Sequence, residues 1–196
     1  SCREYILRNK TGDIVSPSQI TSDWLKSCKE VQIHNIKLLY VGRIKKEKGI
    51  YSLLEIIKDS NISFSLSIVG AEKNSPNLIA QENVHIYEVE NNEQNLIKIY
   101  DDHNIFVLPS YTEGHPMVML ESLSRLRPVI IFKDIEHVVG NKKGIFVAER
   151  NPNSFFEQIN YIKKNYKNIQ EEMKKNKLPT KEEFLLKFSN LILKSS

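Results

Sequence analysis

Apolar positions along this chain gather into strand-length segments that alternate with helically spaced ones. Segments of the first kind are Ile36 to Val41, Phe64 to Val69, Val84 to Val89, Ile105 to Leu108, Val129 to Phe132 and Gly144 to Ala148. Ile50 to Ile57, Leu96 to Tyr100 and Met117 to Leu126 have the spacing of amphipathic helices. Ile105 to Leu108 is continuous rather than alternating, which predicts a strand buried on both faces. The alternation as a whole predicts right-handed crossovers and an α/β fold, a parallel sheet with helices on both faces. Ligands of such sheets bind beyond the carboxyl ends of the strands, near the point where strand order reverses. Chemistry is therefore expected in the loops after Val41, Val69, Val89 and Leu108.

The flanks differ from this core. Residues 1–35 are polar, with one helical patch, Ile20 to Cys28, which Ser18 or Thr21 is placed to cap, and they read as a lead-in or linker. After Asn151-Pro152 the pattern turns wholly helical. Phe155, Phe156, Ile159 and Ile162 share one face, a lysine-rich helix follows, and Leu178-Pro179 breaks the chain before a last helix with Phe184, Leu185, Phe188, Leu191 and Ile192. The expected organisation is a lead-in over 1–35, a sheet domain over 36–165 and C-terminal helices over 166–196.

Composition narrows the function classes. With 196 residues, 40% hydrophobic and 27% charged, the chain suits one ordinary domain with a real core, and its apolar runs fall far short of a membrane span. The net charge of +4 is modest, and Lys163, Lys164, Lys167, Lys174, Lys175 and Lys177 are interspersed with Glu171 and Glu172. That mixture describes a solvated helical face rather than a nucleic-acid stripe, so no nucleic-acid partner is expected. Scattered lysines each add a little affinity for an anionic surface, which leaves peripheral membrane association compatible with the composition. Cys2 and Cys28 have no metal-ligand spacing and make a poor disulfide framework, and a reducing cytoplasm is the simplest setting.

Two carboxylates stand out in Ser110-Tyr-Thr-Glu113-Gly114-His115-Pro116-Met117-Val118-Met-Leu-Glu121. Pro116 suits the start of a helix, which puts Glu113 in the loop and Glu121 on the helix about one turn further in. Acids so placed can accept hydrogen bonds from the vicinal hydroxyls of a ribose or hexose. The plainer alternative is a capping acid at Glu113 and a surface Glu121 paired with Arg125 at i,i+4. A second segment, Val41-Gly42-Arg43-Ile-Lys45-Lys46-Glu47-Lys48-Gly49, sends Arg43 and Lys48 toward the same end of the sheet, next to a helix start, where they suit a diphosphate or, alternatively, simply face water. A third element is Ile68-Val69-Gly70, a strand ending in glycine where a ligand or another backbone can approach closely.

In order and spacing these pieces resemble the C-terminal, nucleotide-sugar-binding domain of retaining GT-B glycosyltransferases of family 4. The matching residues are Gly42-Arg43-x4-Lys48-Gly49, then Ile68-Val69-Gly70, then Val107-Leu108-Pro109-Ser110 leading into Glu113-Gly114-x-Pro116-x4-Glu121, then Pro128-Val129. The resemblance spans about residues 36–160 and implies a Rossmann-like sheet forming one half of a GT-B fold. It implies that Arg43 and Lys48 hold the donor diphosphate, that Glu121 accepts from the nucleotide ribose and that Glu113 lies by the donor sugar, with Gly42, Gly70 and the Gly114, His115, Pro116, Met117 and Val118 turn lining the donor. It implies no metal and no cofactor beyond the nucleotide-sugar substrate, and a β-phosphate oxygen that helps deprotonate the acceptor on the retained face. Glu113 as a covalent nucleophile is the weaker alternative, because that role requires in-line placement opposite the leaving phosphate.

Several positions depart from the family pattern: His115 where an apolar residue is usual, Arg127 where a glycine is typical before Pro128, Glu88 for a glycine and Asn104 for a frequent aspartate. The resemblance also implies a partner domain. An N-terminal domain that binds a glycan or lipid-linked acceptor would precede Ile36, residues 1–35 are too few to supply it, and the final helix would pack against it. The expected function is the donor-binding half of a cytoplasmic hexosyltransferase-like enzyme of cell-surface polysaccharide synthesis, peripheral at the inner membrane face and inactive in isolation. The alternative is a stand-alone nucleotide-sugar-binding or regulatory module without turnover.

Overall fold

The protein is described by a computed structural model over residues 17–26, 33–58, 60, 62–72 and 82–194. Strands β1 (Ile36–Val41), β2 (Phe64–Ala71), β3 (Val84–Glu88), β4 (Ile105–Leu108), β5 (Val129–Phe132) and β6 (Ile145–Ala148) match the apolar segments to within two residues at each end. All neighbouring strands pair in parallel, in the order β3-β2-β1-β4-β5-β6. This is the doubly wound, Rossmann-like order, and it reverses between β1 and β4. β4 and β5 are buried at every residue, as continuous apolar runs require.

The helices are α1 (Ser22–Leu25), α2 (Ile50–Ile57), α3 (Glu93–Asp102), α4 (Met117–Ser124), α5 (Pro152–Met173) and α6 (Lys181–Lys194). α2 and α5 pack together on one face of the sheet, where Phe156 meets Phe64 of β2 and Phe155 stacks on Phe132 of β5. α1, α3 and α4 form the second layer, joined by an edge-on contact of Trp24 with Tyr100 at 5.4 Å between ring centres. Right-handed crossovers put these groups on opposite faces. Asn92 and Asn151 cap α3 and α5 through their side-chain oxygens, and Pro152 opens α5, where its missing N–H costs nothing.

The flanks are tied into this core more firmly than a linker would be. Ile20 and Trp24 are buried within it, Ser18 donates to the Pro179 carbonyl at 2.6 Å, and the Lys181 amide donates to the Ile20 carbonyl at 2.8 Å. The helical patch expected over Ile20 to Cys28 is a single turn at Ser22–Leu25, and residues 27–32 lie outside those described. The expected boundary at residue 165 falls inside α5, which runs on as one helix with Tyr166, Ile169 and Met173 buried. α6 leaves Leu185, Leu186, Phe188 and Ile192 exposed, whereas Phe184 and Leu191 are half-buried.

Two glycines allow close backbone approaches at the carboxyl end of the sheet. Gly49 adopts φ +69°, and a Cβ there would lie 1.8 Å from the Pro109 carbonyl oxygen, so the loop after β1 touches the loop after β4 backbone to backbone. At Gly70 (φ +131°) a Cβ would lie 2.2 Å from the Gly42 carbonyl oxygen. Gly49→Ala is expected to lose about 2–4 kcal/mol of stability from left-handed strain and overpacking together. Chemical denaturation measures this, and a loss below about 1 kcal/mol would show that the two loops separate freely.

Candidate functional site

The loop after β1 is shaped from beneath. Tyr40 turns its ring under Gly42 and donates its hydroxyl to the Arg43 carbonyl at 2.8 Å, which fixes the turn that carries Arg43. The Arg43 side chain is exposed, and no hydrogen bond joins its guanidinium to the described residues. A 3-10 turn over Lys46–Lys48 then ends at Gly49, and the Tyr111 amide donates to the Glu47 carbonyl at 3.0 Å. This clasp and the Gly49–Pro109 approach bring Lys48 against the loop after β4. There its ammonium nitrogen lies 2.7 Å from Glu113 Oε1, which also accepts from the Ser110 hydroxyl at 2.7 Å. Lys48 and Glu113 therefore meet at the carboxyl ends of β1 and β4, on either side of the point where strand order reverses, and Arg43 is carried on the same β1 loop.

The Glu113 loop is held from outside by two residues that periodicity does not flag. Arg150 donates to the carbonyls of Pro109 at 2.9 Å and Ser110 at 3.3 Å, pairs with Asp134 at 2.6 Å, and lies 4.0 Å over the Tyr111 ring. An imidazole nitrogen of His137 lies 2.8 Å from the Glu113 carbonyl oxygen. The loop is thus gripped at successive carbonyls while its Glu113 carboxylate points inward to Lys48 and Ser110. Gly114 is exposed with open space around the position of a Cβ, His115 reaches the Pro17 carbonyl at 2.9 Å, and Met117 and Val118 are half-buried at the start of α4.

Glu121 follows on α4 and is only 7% exposed. The pairing with Arg125 that its spacing allows does not form, and the cap position of α4, Pro116, has no side-chain cap, so neither part of the plainer sequence reading describes this pair of acids. Glu121 Oε2 instead accepts from the Tyr100 hydroxyl at 2.9 Å. Burial raises the Glu121 carboxyl above the ordinary carboxylate range, and the tyrosine hydrogen bond partly opposes this. Glu121 borders a cleft of about 360 Å³ shared with Trp24, Asn91, Glu93, Leu96 and Lys181. Thr21 closes one side of that cleft by donating to Glu93.

Beneath Glu121 the far end of α4 is anchored by buried charge. Arg125 and Arg127 are 2% and 1% exposed. Arg125 makes a two-pronged pair with Asp101, at 2.9 and 2.7 Å, and donates to the carbonyls of Trp24 and Lys26. Arg127 donates to the carbonyls of Tyr100, Arg125 and Asp101. The arginine that replaces a glycine before Pro128 therefore turns inward, and the positive φ of the turn, +54°, falls on Leu126. Asn104, in place of an aspartate, accepts from the Lys37 amide and donates to the Asn35 carbonyl, which clips β4 to β1. Glu88 is exposed on the edge strand β3.

Among the described residues, no group of three or more His, Cys, Asp or Glu side chains is arranged to hold a metal ion, and no helix is long and apolar enough to cross a membrane.

Known proteins share both fold and sequence with this chain. The capsular polysaccharide biosynthesis glycosyltransferase CapM of Staphylococcus aureus is 28% identical over 138 residues, which cover 64% of this chain and 36% of CapM. The chain thus matches only about a third of that relative's length. A glycosyltransferase of Rickettsia africae superposes with a TM-score of 0.74 at 18% identity, covering all of this chain and 62% of that one. Sucrose-phosphate synthase of Thermosynechococcus elongatus superposes at 0.69 and 18% identity, covering 98% of this chain and 56% of that one. These two likenesses show the fold, one Rossmann-like half of a GT-B architecture. The family model described as "Glycosyl transferases group 1" matches residues 29–180, which hold the whole sheet and helices α2 to α5, and the chain belongs to that family.

Proposed function

We propose that this chain is the donor-binding half of a retaining, family 4 type glycosyltransferase, transferring a hexose from a UDP- or GDP-linked sugar to a glycan or lipid-linked acceptor in cell-surface polysaccharide synthesis. The observation that carries the reading is the Lys48–Glu113–Ser110 cluster at the strand-order reversal, with Arg43 exposed on the same loop as Lys48 and hydrogen-bonded to none of the described residues, and with Glu121 lining a cleft on α4. In this reading Arg43 and Lys48 take the diphosphate and stabilise the negative charge that grows on it as the glycosidic bond breaks, with no metal ion required. Lys48 is positioned by Glu113, so the sugar-side acid and the phosphate-side cation act as one unit. Glu121 accepts from the ribose hydroxyls, and open space at Gly114 admits the donor close to the backbone. A β-phosphate oxygen takes the acceptor proton on the face from which the phosphate departs, so configuration is retained.

The acceptor belongs to a further domain, for which relatives about three times as long as the matched segment have room. The apolar face of α6 at Leu185, Phe188 and Ile192 suits contact with it. The assembled enzyme is placed in the cytoplasm, peripheral to the membrane when its acceptor is lipid-linked, and this chain alone turns nothing over. Calorimetric titration with UDP and with GDP tests the reading directly. Binding of at least one is expected at micromolar to millimolar concentration, and a folded protein that binds neither at millimolar concentration overturns it.

A further inference from the structure

We infer that Tyr100 is a positioning residue for hydroxyl recognition at Glu121: it fixes one carboxylate oxygen from behind and thereby presents the other to the cleft. The inference rests on the nucleotide-binding reading and deepens it. The Tyr100 hydroxyl donates to Glu121 Oε2 at 2.9 Å, with a longer approach of 3.3 Å to the Val118 carbonyl. Oε1 has no partner among the described residues, and no fully buried polar side-chain atom in them lacks one, so Oε1 reaches the cleft surface. The carboxylate is therefore asymmetric, with one oxygen saturated inside the protein and one turned outward to accept.

Packing makes the donor rigid. The Tyr100 ring is wholly buried, with Trp24 edge-on at 5.4 Å and Phe106 tilted against it at 5.6 Å, so its hydroxyl has little freedom to leave Glu121. Burial and the neighbouring carboxylate also raise the phenol well above its ordinary value, which keeps it a donor throughout the working pH range. A buried carboxyl with a single donor is a poor acceptor if it protonates, and this bond is the one stabilising its charged form. The other charged groups at the cleft are Glu93, which accepts from Thr21, and Lys181 at the start of α6. Neither forms a hydrogen bond to Glu121, so the tyrosine alone orients it among the described residues.

The test compares UDP and GDP with their 2′,3′-dideoxy analogues, which lack the hydroxyls, against the wild type and Tyr100→Phe by calorimetry from pH 5 to pH 9. Tyr100→Phe is expected to weaken the ribonucleotide by about 3–10-fold, the range of one hydrogen bond, and to leave the dideoxy analogue unchanged. Without its donor the Glu121 carboxyl protonates at higher pH, so the fall in ribonucleotide affinity on acidification begins at higher pH in the variant. Equal losses for both nucleotides would mean that Tyr100 only supports the fold, and no loss would mean that it does nothing for the site. Either result overturns the inference while leaving nucleotide binding intact, whereas a folded wild type that binds no ribonucleotide overturns both. If Tyr100→Phe does not fold, 3-fluorotyrosine at position 100 keeps the ring and supplies a more acidic donor. The acid limb should then move to lower pH, and an unmoved limb overturns the inference.

Discussion

Arg43→Ala and Lys48→Ala should each weaken nucleoside diphosphate binding by about 10–100-fold, the range of a charge-assisted hydrogen bond to phosphate, and the double variant should show no detectable binding. The two differ in what they do to the protein without ligand. Arg43 is exposed and bonds to none of the described residues, so its removal should leave stability within about 0.5 kcal/mol. Lys48 is three-quarters buried against Glu113, and its removal strands that carboxylate beside Ser110, so Lys48→Ala should also lose about 1 kcal/mol. Titration calorimetry and denaturant unfolding on the same samples separate the two effects. If both variants keep wild-type affinity, the diphosphate does not lie between these loops.

Asp101→Ala should be among the most destabilising substitutions in the molecule. Asp101 is the carboxylate that faces both buried arginines, Arg125 at 2.7 Å and Arg127 at 3.5 Å. Removing it leaves two guanidinium groups in the interior, with Arg125 pinned to the carbonyls of Trp24 and Lys26 and Arg127 to those of Tyr100, Arg125 and Asp101. Breaking one side of a buried ion pair costs about 3–5 kcal/mol, or about 10 °C in melting temperature for a domain of this size. The same change loosens the junction of α3 and α4 that carries Tyr100 and Glu121, so ribonucleotide affinity should fall with it. A melting temperature within about 2 °C of wild type would show that carbonyls alone satisfy the two arginines.

Much of this was legible in the chain because the governing signals are local. Strand-length apolar segments alternating with helical spacing leave few arrangements besides a parallel sheet with crossover helices, and the loops at its carboxyl end follow from that topology. The structure brings Lys48 of the loop after β1 against Glu113 of the loop after β4, and Arg43 lies on the same β1 loop. Local spacing misled where a competing partner lay far along the chain. Glu121 and Arg125 are an attractive i,i+4 pair on paper, but Arg125 turns to Asp101, 24 residues away, and Glu121 to Tyr100, 21 residues away. Tyr100 itself looked like the last apolar position of a helix, and nothing in its neighbourhood reveals that its hydroxyl ends on a carboxylate.

The lead-in shows the same division. Residues 17–26 are polar in composition and read as a tether, yet Ile20 and Trp24 fill the core and Thr21 borders the cleft at Glu121. The helical patch read over Ile20 to Cys28 gives these two side chains a shared face but names no partner for it, so only docking against α3, α4 and α6 gives them a place. By itself the sequence determined the architecture, the end of the sheet that carries chemistry, and the residue types gathered there, because periodicity and turn residues act within a few positions of one another. Tertiary structure alone decided which oxygen of Glu121 faces the cleft, which cation pairs with Glu113 and how two arginines are accommodated in the interior. Those outcomes depend on the geometry of groups brought together from distant segments, where a shift of one ångström exchanges one partner for another.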